Sequence, residues 1–308
     1  MAREQRFAGR RERSGWSQPV RSNAAAAGLP AFGGRLGGLG VDFAGPAGAL
    51  PGSTRTAGCV PAYEEVASME HHHRARYDEV RGRRVRSLHA GDRRAGVPAA
   101  VVVPGLGVVE YLMNTAHGCA AWTQTFVLDV GRADLPAVAA TVAAWLAAVP
   151  DAPVVLVGHS TGAQAALRAA VENPGAVQAL VLLSPTFPPT LRRLPLLLPA
   201  LLRDAAHEPL HLWRTVLPGC ARIGFRTICG FLRSAQSDRP EETIAEVSCP
   251  VLVVRGEHDT FCPASWATRL GATARQGRAV TSPGAHGFCH QHGEHTAALI
   301  ADHSREGR

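Results

Sequence analysis

The clearest chemistry in this chain lies in five residues, Gly158-His159-Ser160-Thr161-Gly162. The apolar run Val154 to Val157 precedes them directly, and Thr161 to Val171 reads as a helix. A serine on a tight strand-to-helix turn holds its hydroxyl clear of the sheet end, and flanking glycines avoid clashes that side chains would cause there. The next backbone N–H, that of Thr161, sits at a helix N-terminus and faces the place where an oxyanion would develop. A serine so placed is a nucleophile for acyl transfer. The alternative is a serine that only caps an ordinary crossover helix. His159 is expected to buttress the turn.

Such a turn needs a sheet behind it, and the rest of the chain provides one. Ala99 to Val103 is a short β-branched run stopped by Pro104-Gly105, and Thr125 to Val130, Ala179 to Leu183 and Val251 to Val254 read alike. Continuous apolar runs of this length are strands buried on both faces. Arg83 to His89 reads as a wet edge strand, and Ala279 to Thr281 as a last short one. Helices are expected over Glu110–Trp122, Leu135–Val149 with Asp134 as N-cap, about 264–271, and His295–His303. Strands alternating with helices predict an α/β fold, a mostly parallel sheet covered on both faces. Between Ser184 and Pro250 about 65 residues contain no clear strand. They are expected to form a helical cap, 185–248, over the carboxyl ends of the strands. The core would then comprise residues 69–184 and 249–304.

Composition narrows the function classes. The 308 residues are 46% hydrophobic, too apolar for wholesale disorder, yet no run of about 18 apolar residues is present to span a bilayer. The net charge is +7, but residues 101–308 contain 16 Arg against 16 Asp plus Glu. A neutral body argues against nucleic acid as partner. All basic residues are Arg, which reads as coding bias. Seven scattered cysteines without a C-x-x-C pair point to a reducing compartment, and hence a cytoplasmic location. Residues 1–68 are rich in Gly, Ala, Pro and Arg and are expected to be a disordered, dispensable leader, with Met69 as an alternative start. Their composition also suits an organelle transit peptide.

With its G-x-S-x-G turn between a buried strand and a helix, the chain over about 80–304 resembles the α/β-hydrolase superfamily, in its capped branch. The resemblance implies an acid after the strand that follows the cap. Here Val251 to Val254 leads into Arg255-Gly256-Glu257-His258-Asp259, and the family's G-x-x-D-x-x-x-P pattern falls on Asp259, with Glu257 as competitor. It implies a histidine on the loop before the last helix, which fits His286 in Gly284-Ala285-His286-Gly287. The second oxyanion donor would be the Leu106 N–H. In the family a His-Gly usually stands there, whereas this chain has Pro104-Gly105 and so lacks one buttressing side chain.

The implied function is a serine hydrolase acting on a carboxylic ester or related acyl compound, a small molecule, without cofactor or metal. His290, His292 and His295 crowd His286, but a solvated cluster explains them more simply than a metal site. Ser160 stands where related dehalogenases and epoxide hydrolases carry Asp. The leucines of 194–217 are expected mostly to cover the core, the remainder lining the pocket for an apolar acyl or alcohol group. Perhydrolysis, C–C cleavage or lyase chemistry on the same three residues, or ligand binding without turnover, are the alternatives. The sequence leaves the oligomeric state open.

Overall fold

The computed structural model describes residues 73–130 and 134–306, all within one compact unit of residues 65–308. The expected leader lies outside the described residues. Among the described residues eight strands form one sheet, in the order β1-β2-β4-β3-β5-β6-β7-β8. They are β1 Arg74–Val80, β2 Arg83–Ala90, β3 Ala100–Val103, β4 Thr125–Asp129, β5 Val154–His159, β6 Val177–Leu183, β7 Val251–Gly256 and β8 Gly277–Ser282. The pairs β1–β2 and β2–β4 are antiparallel and all others parallel.

The central strands are apolar because both faces are covered. Val101, Val103, Leu156, Val251 and Val253 pack with Trp145 into one core. Their strand neighbours Val102, Val155, Val157, Leu252 and Val254 pack into a second, around Leu112 and Ile300. On the first face lie α2 (Leu135–Ala148), α3 (Thr161–Glu172) and α8 (Ala264–Thr273). On the second lie α1 (Met113–Ala120), the short α9 (Phe288–Gln291) and α10 (Gly293–Glu306). The Asp134 carboxylate accepts from Ala137 N–H at 3.0 Å and caps α2.

Two expectations need correction. Arg83–Ala90 is a strand, but it is not the edge. The charged segment Arg74–Val80 lies outside it, and only Asp78 and Val80 of that segment are buried, so no apolar period marks it. The insertion between β6 and β7 folds into α4 (Leu194–Ala205), α5 (Leu210–Ile223), α6 (Phe225–Gln236) and the short α7 (Pro240–Thr243). Its leucines, however, do not mostly turn inward: Leu196, Leu198, Leu201, Leu202, Leu210 and Leu217 are exposed.

Candidate active site

The order β4-β3-β5-β6 makes a crevice between β3 and β5, whose onward connections to β4 and to β6 leave in opposite directions, and ligands of open α/β sheets bind at such a point. Leu106 follows β3 and Ser160 follows β5. Ser160 has φ 56° and ψ −125°, which a non-glycine residue adopts only when its surroundings force it. The forcing is visible in the glycines. A Cβ on Gly162 would stand 2.4 Å from the Val103 carbonyl oxygen, and one on Gly158 would stand 2.5 Å from that of Gly162. The α3 helix therefore starts pressed against the end of β3.

His286 lies on the loop after β8, and its Nε2 is 2.9 Å from Ser160 Oγ. Its Nδ1–H donates to Asp259 Oδ1 at 3.2 Å. The same oxygen accepts from the N–H groups of Phe261, at 2.9 Å, and Cys262, at 3.0 Å. Arg255 at the end of β7 braces this loop: its buried guanidinium donates to the carbonyls of Cys262 (2.8 Å) and Glu257 (3.0 Å). The structure thus brings Ser160, His286 and Asp259 together. Glu257 points away and sits beside His258, 3.4 Å distant and half exposed.

Electrostatics favour an ion pair. Burial works against charge on Asp259, but the adjoining His286 ring and the Cys262 N–H hold its carboxyl below the usual range. Burial opposes the His286 cation too, yet Asp259, Asp204 and Glu208 together push its pKa up to about 9.

Asp204 and Glu208 were not singled out by sequence. Both are buried and come from the end of α4 and the turn after it. Asp204 Oδ1 accepts from the His286 N–H at 3.2 Å and the Thr260 N–H at 3.4 Å, so it ties the histidine and acid loops together. Glu208 accepts from the Gly287 N–H and, at 3.0 Å, from Gln291 Nε2. Gly287 leaves no room for more, since a Cβ there would lie 2.4 Å from Leu212. Burial raises the Asp204 pKa to about 6. One signal was available: these are the only two acids between Leu191 and Ser237, and they stand one helical turn apart.

A second missed residue is Tyr111, a buried tyrosine whose hydroxyl lies between the β3 loop and His159. It accepts from the Gly105 N–H at 2.8 Å and donates to His159 Nδ1, also at 2.8 Å. His159 Nε2–H then donates to the His286 carbonyl at 2.9 Å. One chain of hydrogen bonds therefore links the β3 loop, the Ser160 turn and the His286 loop, and fixes the His159 tautomer. Burial, aided by the nearby His286, depresses the His159 pKa to about 3, so the ring is neutral. Leu106, at φ 53°, donates its N–H to Thr161 Oγ1 at 3.1 Å. His290 donates to the Tyr111 carbonyl at 3.1 Å, and among the described residues no group of three His, Cys, Asp or Glu is placed to hold a metal ion.

The chain belongs to the alpha/beta hydrolase family, whose model matches residues 85–302. No curated protein matches it. Among solved structures it is similar to a serine hydrolase involved in carbazole degradation, at 18% identity and a TM-score of 0.61, covering 77% of this chain and 100% of that one. It is also similar to a thermophilic esterase from Thermogutta terrifontis, at 16% identity and a TM-score of 0.59, covering 76% of this chain and 99% of that one. A thioesterase domain from the curacin biosynthetic pathway has 16% identity and a TM-score of 0.59, covering 75% of this chain and 99% of that one. Family and fold together make the protein an α/β-hydrolase.

Proposed function

We propose that this hydrolase cleaves a carboxylic ester or related acyl compound through an acyl-enzyme on Ser160. The observation that carries the reading is the unbroken line from Ser160 Oγ through the His286 ring to Asp259 Oδ1. Neutral His286 accepts the Ser160 proton at Nε2 as Oγ attacks the substrate carbonyl. Asp259 stabilises the imidazolium that results. The carbonyl oxygen becomes an oxyanion and takes the Leu106 N–H from the Thr161 hydroxyl, with the Thr161 N–H as second donor. His286 returns the proton to the leaving alcohol, the acyl group stays on Oγ, and a water activated by the same ring releases the acid. The Phe261 ring, 4.9 Å from the His286 ring, offers a flat apolar surface beside the reacting atoms, which supports a substrate with an apolar group.

The test is labelling with a fluorophosphonate probe, followed by turnover of nitrophenyl esters of short and long acyl chains. Labelling lost in Ser160→Ala and ester turnover in the parent are expected. An unlabelled, inactive parent overturns the reading in favour of a binding protein.

A further inference from the structure

The outward sides of α4 and of α5 each have a composition that soluble surfaces avoid. At about 100° per residue, Leu198 and Leu202 lie on the side of α4 opposite Ala200 and Asp204, which are buried. Leu198 is 60% and Leu202 64% exposed. On α5 the buried side holds Leu212 and Gly219, and the opposite side shows Leu210 and Leu217 to solvent. Phe225, 80% exposed, stands at the corner where α6 begins, just after Gly224 at φ 86°. Apolar patches of this kind on a soluble protein mark an interaction surface.

The charges around the patch select the partner. Between Arg193 and Arg233 six arginines are exposed: 193, 203, 214, 222, 226 and 233. The only acids in that stretch, Asp204 and Glu208, are buried against the His286 loop. Glu110, from outside the stretch, pairs with Arg222. The face therefore offers leucine and phenylalanine among an excess of exposed arginines, with Glu110 beside Arg222 and Glu257 beside the His258 ring that stacks on His207 as the acids near it. A second copy of this chain would set arginine against arginine across a two-fold axis. An acidic protein would need shaped, polar recognition, whereas these sides carry mostly hydrocarbon, with Arg214 set between Leu210 and Leu217 on α5.

We propose that the outer face of α4 and α5 docks on an anionic lipid surface. The leucines and Phe225 enter the interfacial layer, the arginines meet the lipid phosphates, and the helices lie in the plane without crossing it. Among the described residues no helix is long and apolar enough to cross, so the contact is peripheral. The inner sides of the same helices hold the His286 loop, which places the candidate active site directly beneath the docked surface.

The test is flotation of the full chain with vesicles of phosphatidylcholine alone or mixed with phosphatidylglycerol. Binding is expected only to the mixed vesicles and should weaken as sodium chloride is raised. Leu198→Glu with Leu202→Glu should lower that binding by about tenfold or more. Arg214→Glu should weaken it by several-fold, and Arg305→Glu on α10, an equal change of net charge away from the face, should not. Hydrolysis of a short soluble ester and the circular-dichroism melt report that each variant is folded, and the docking result stands whether or not the ester reading does. The proposal would be overturned by no flotation of the parent at low salt, by equal flotation of the leucine variant, or by a dimer in vesicle-free solution that the leucine variant abolishes. The last would assign the face to a second copy of the chain. Flotation displaced by an acidic protein but not by salt would assign it to a protein partner, and so overturn it as well.

Discussion

The turn around Ser160 and the helices between β6 and β7 are held in different ways. Around Ser160 every residue from Val154 to His159 is buried, and the glycines at 158 and 162 stand within 2.6 Å, measured from a hypothetical Cβ, of backbone atoms. Position there is dictated by close packing of main chain on main chain. In α4 and α5 few side chains are buried, and the anchor is polar: two carboxylates accepting backbone N–H groups of the His286 loop. The difference separates two tasks. The nucleophile is made rigid by sterics, which water and pH do not loosen. The histidine is held through ionisable groups, which they can.

The largest expected effect breaks the rigid side chemically. Ser160→Ala should reduce ester turnover by about a thousandfold or more while leaving the melting temperature nearly unchanged. Gly162→Ala breaks it sterically. Its methyl would meet the Val103 oxygen at 2.4 Å, so the turn must shift, and a loss of about 1–3 kcal/mol in stability together with at least tenfold in turnover is expected. If the variant melts and works like the parent, the close-packing account of the turn is wrong.

The carboxylate anchor is tested by a pair of variants. Asp204→Ala removes the acceptor and should lower kcat by about tenfold. Asp204→Asn keeps an oxygen for the His286 and Thr260 N–H groups but removes the charge. His286 must be neutral to take the proton, and its pKa is raised to about 9, so kcat/KM should climb with pH up to about that value. With one of its anionic neighbours gone, the limb should move to lower pH in Asp204→Asn. The other groups facing the ring are Asp259, Glu208 and the neutral His159. An unmoved limb would leave Asp204 as a purely structural tie.

The smallest effect concerns stability against acid. His159 is neutral in the folded chain, with its pKa depressed to about 3, but takes a proton near 6.5 when unfolded. The unfolded state therefore binds more protons below pH 6.5, and stability falls as pH drops from there toward 3. His159→Gln can accept from Tyr111 and donate to His286 without titrating. Its melting temperature should start lower but fall less between pH 6.5 and 4.5.

Much of this molecule was legible before its structure. The β-branched runs at 100–103, 154–157 and 251–254 are strands because nothing else lets such residues pack on two faces, and Ser160 between Val157 and α3 follows from them. Residues whose role depends on distant partners were not legible. Tyr111 looks like any tyrosine until the fold sets its hydroxyl between Gly105 and His159, which lie 54 positions apart in sequence. Segment 74–80 is charged enough to read as loop, and only pairing with β2 makes it a strand.

What the sequence determined by itself is the order and period of the elements, and with them the position of Ser160 between a buried strand and a helix; Asp259 and His286 were expected from the family resemblance. The order, the period and the Ser160 position follow from local pattern, because burial on both faces writes itself into each strand. Only the tertiary structure decided the direction of the α4 and α5 faces. Leucine and arginine both suit a helix, and the residues that look most like core point outward. The deciding term is the cost of leaving the His286 and Gly287 N–H groups buried without acceptors. Asp204 and Glu208 turn inward to meet them, and a helix that turns one side inward must turn Leu198 and Leu202 out.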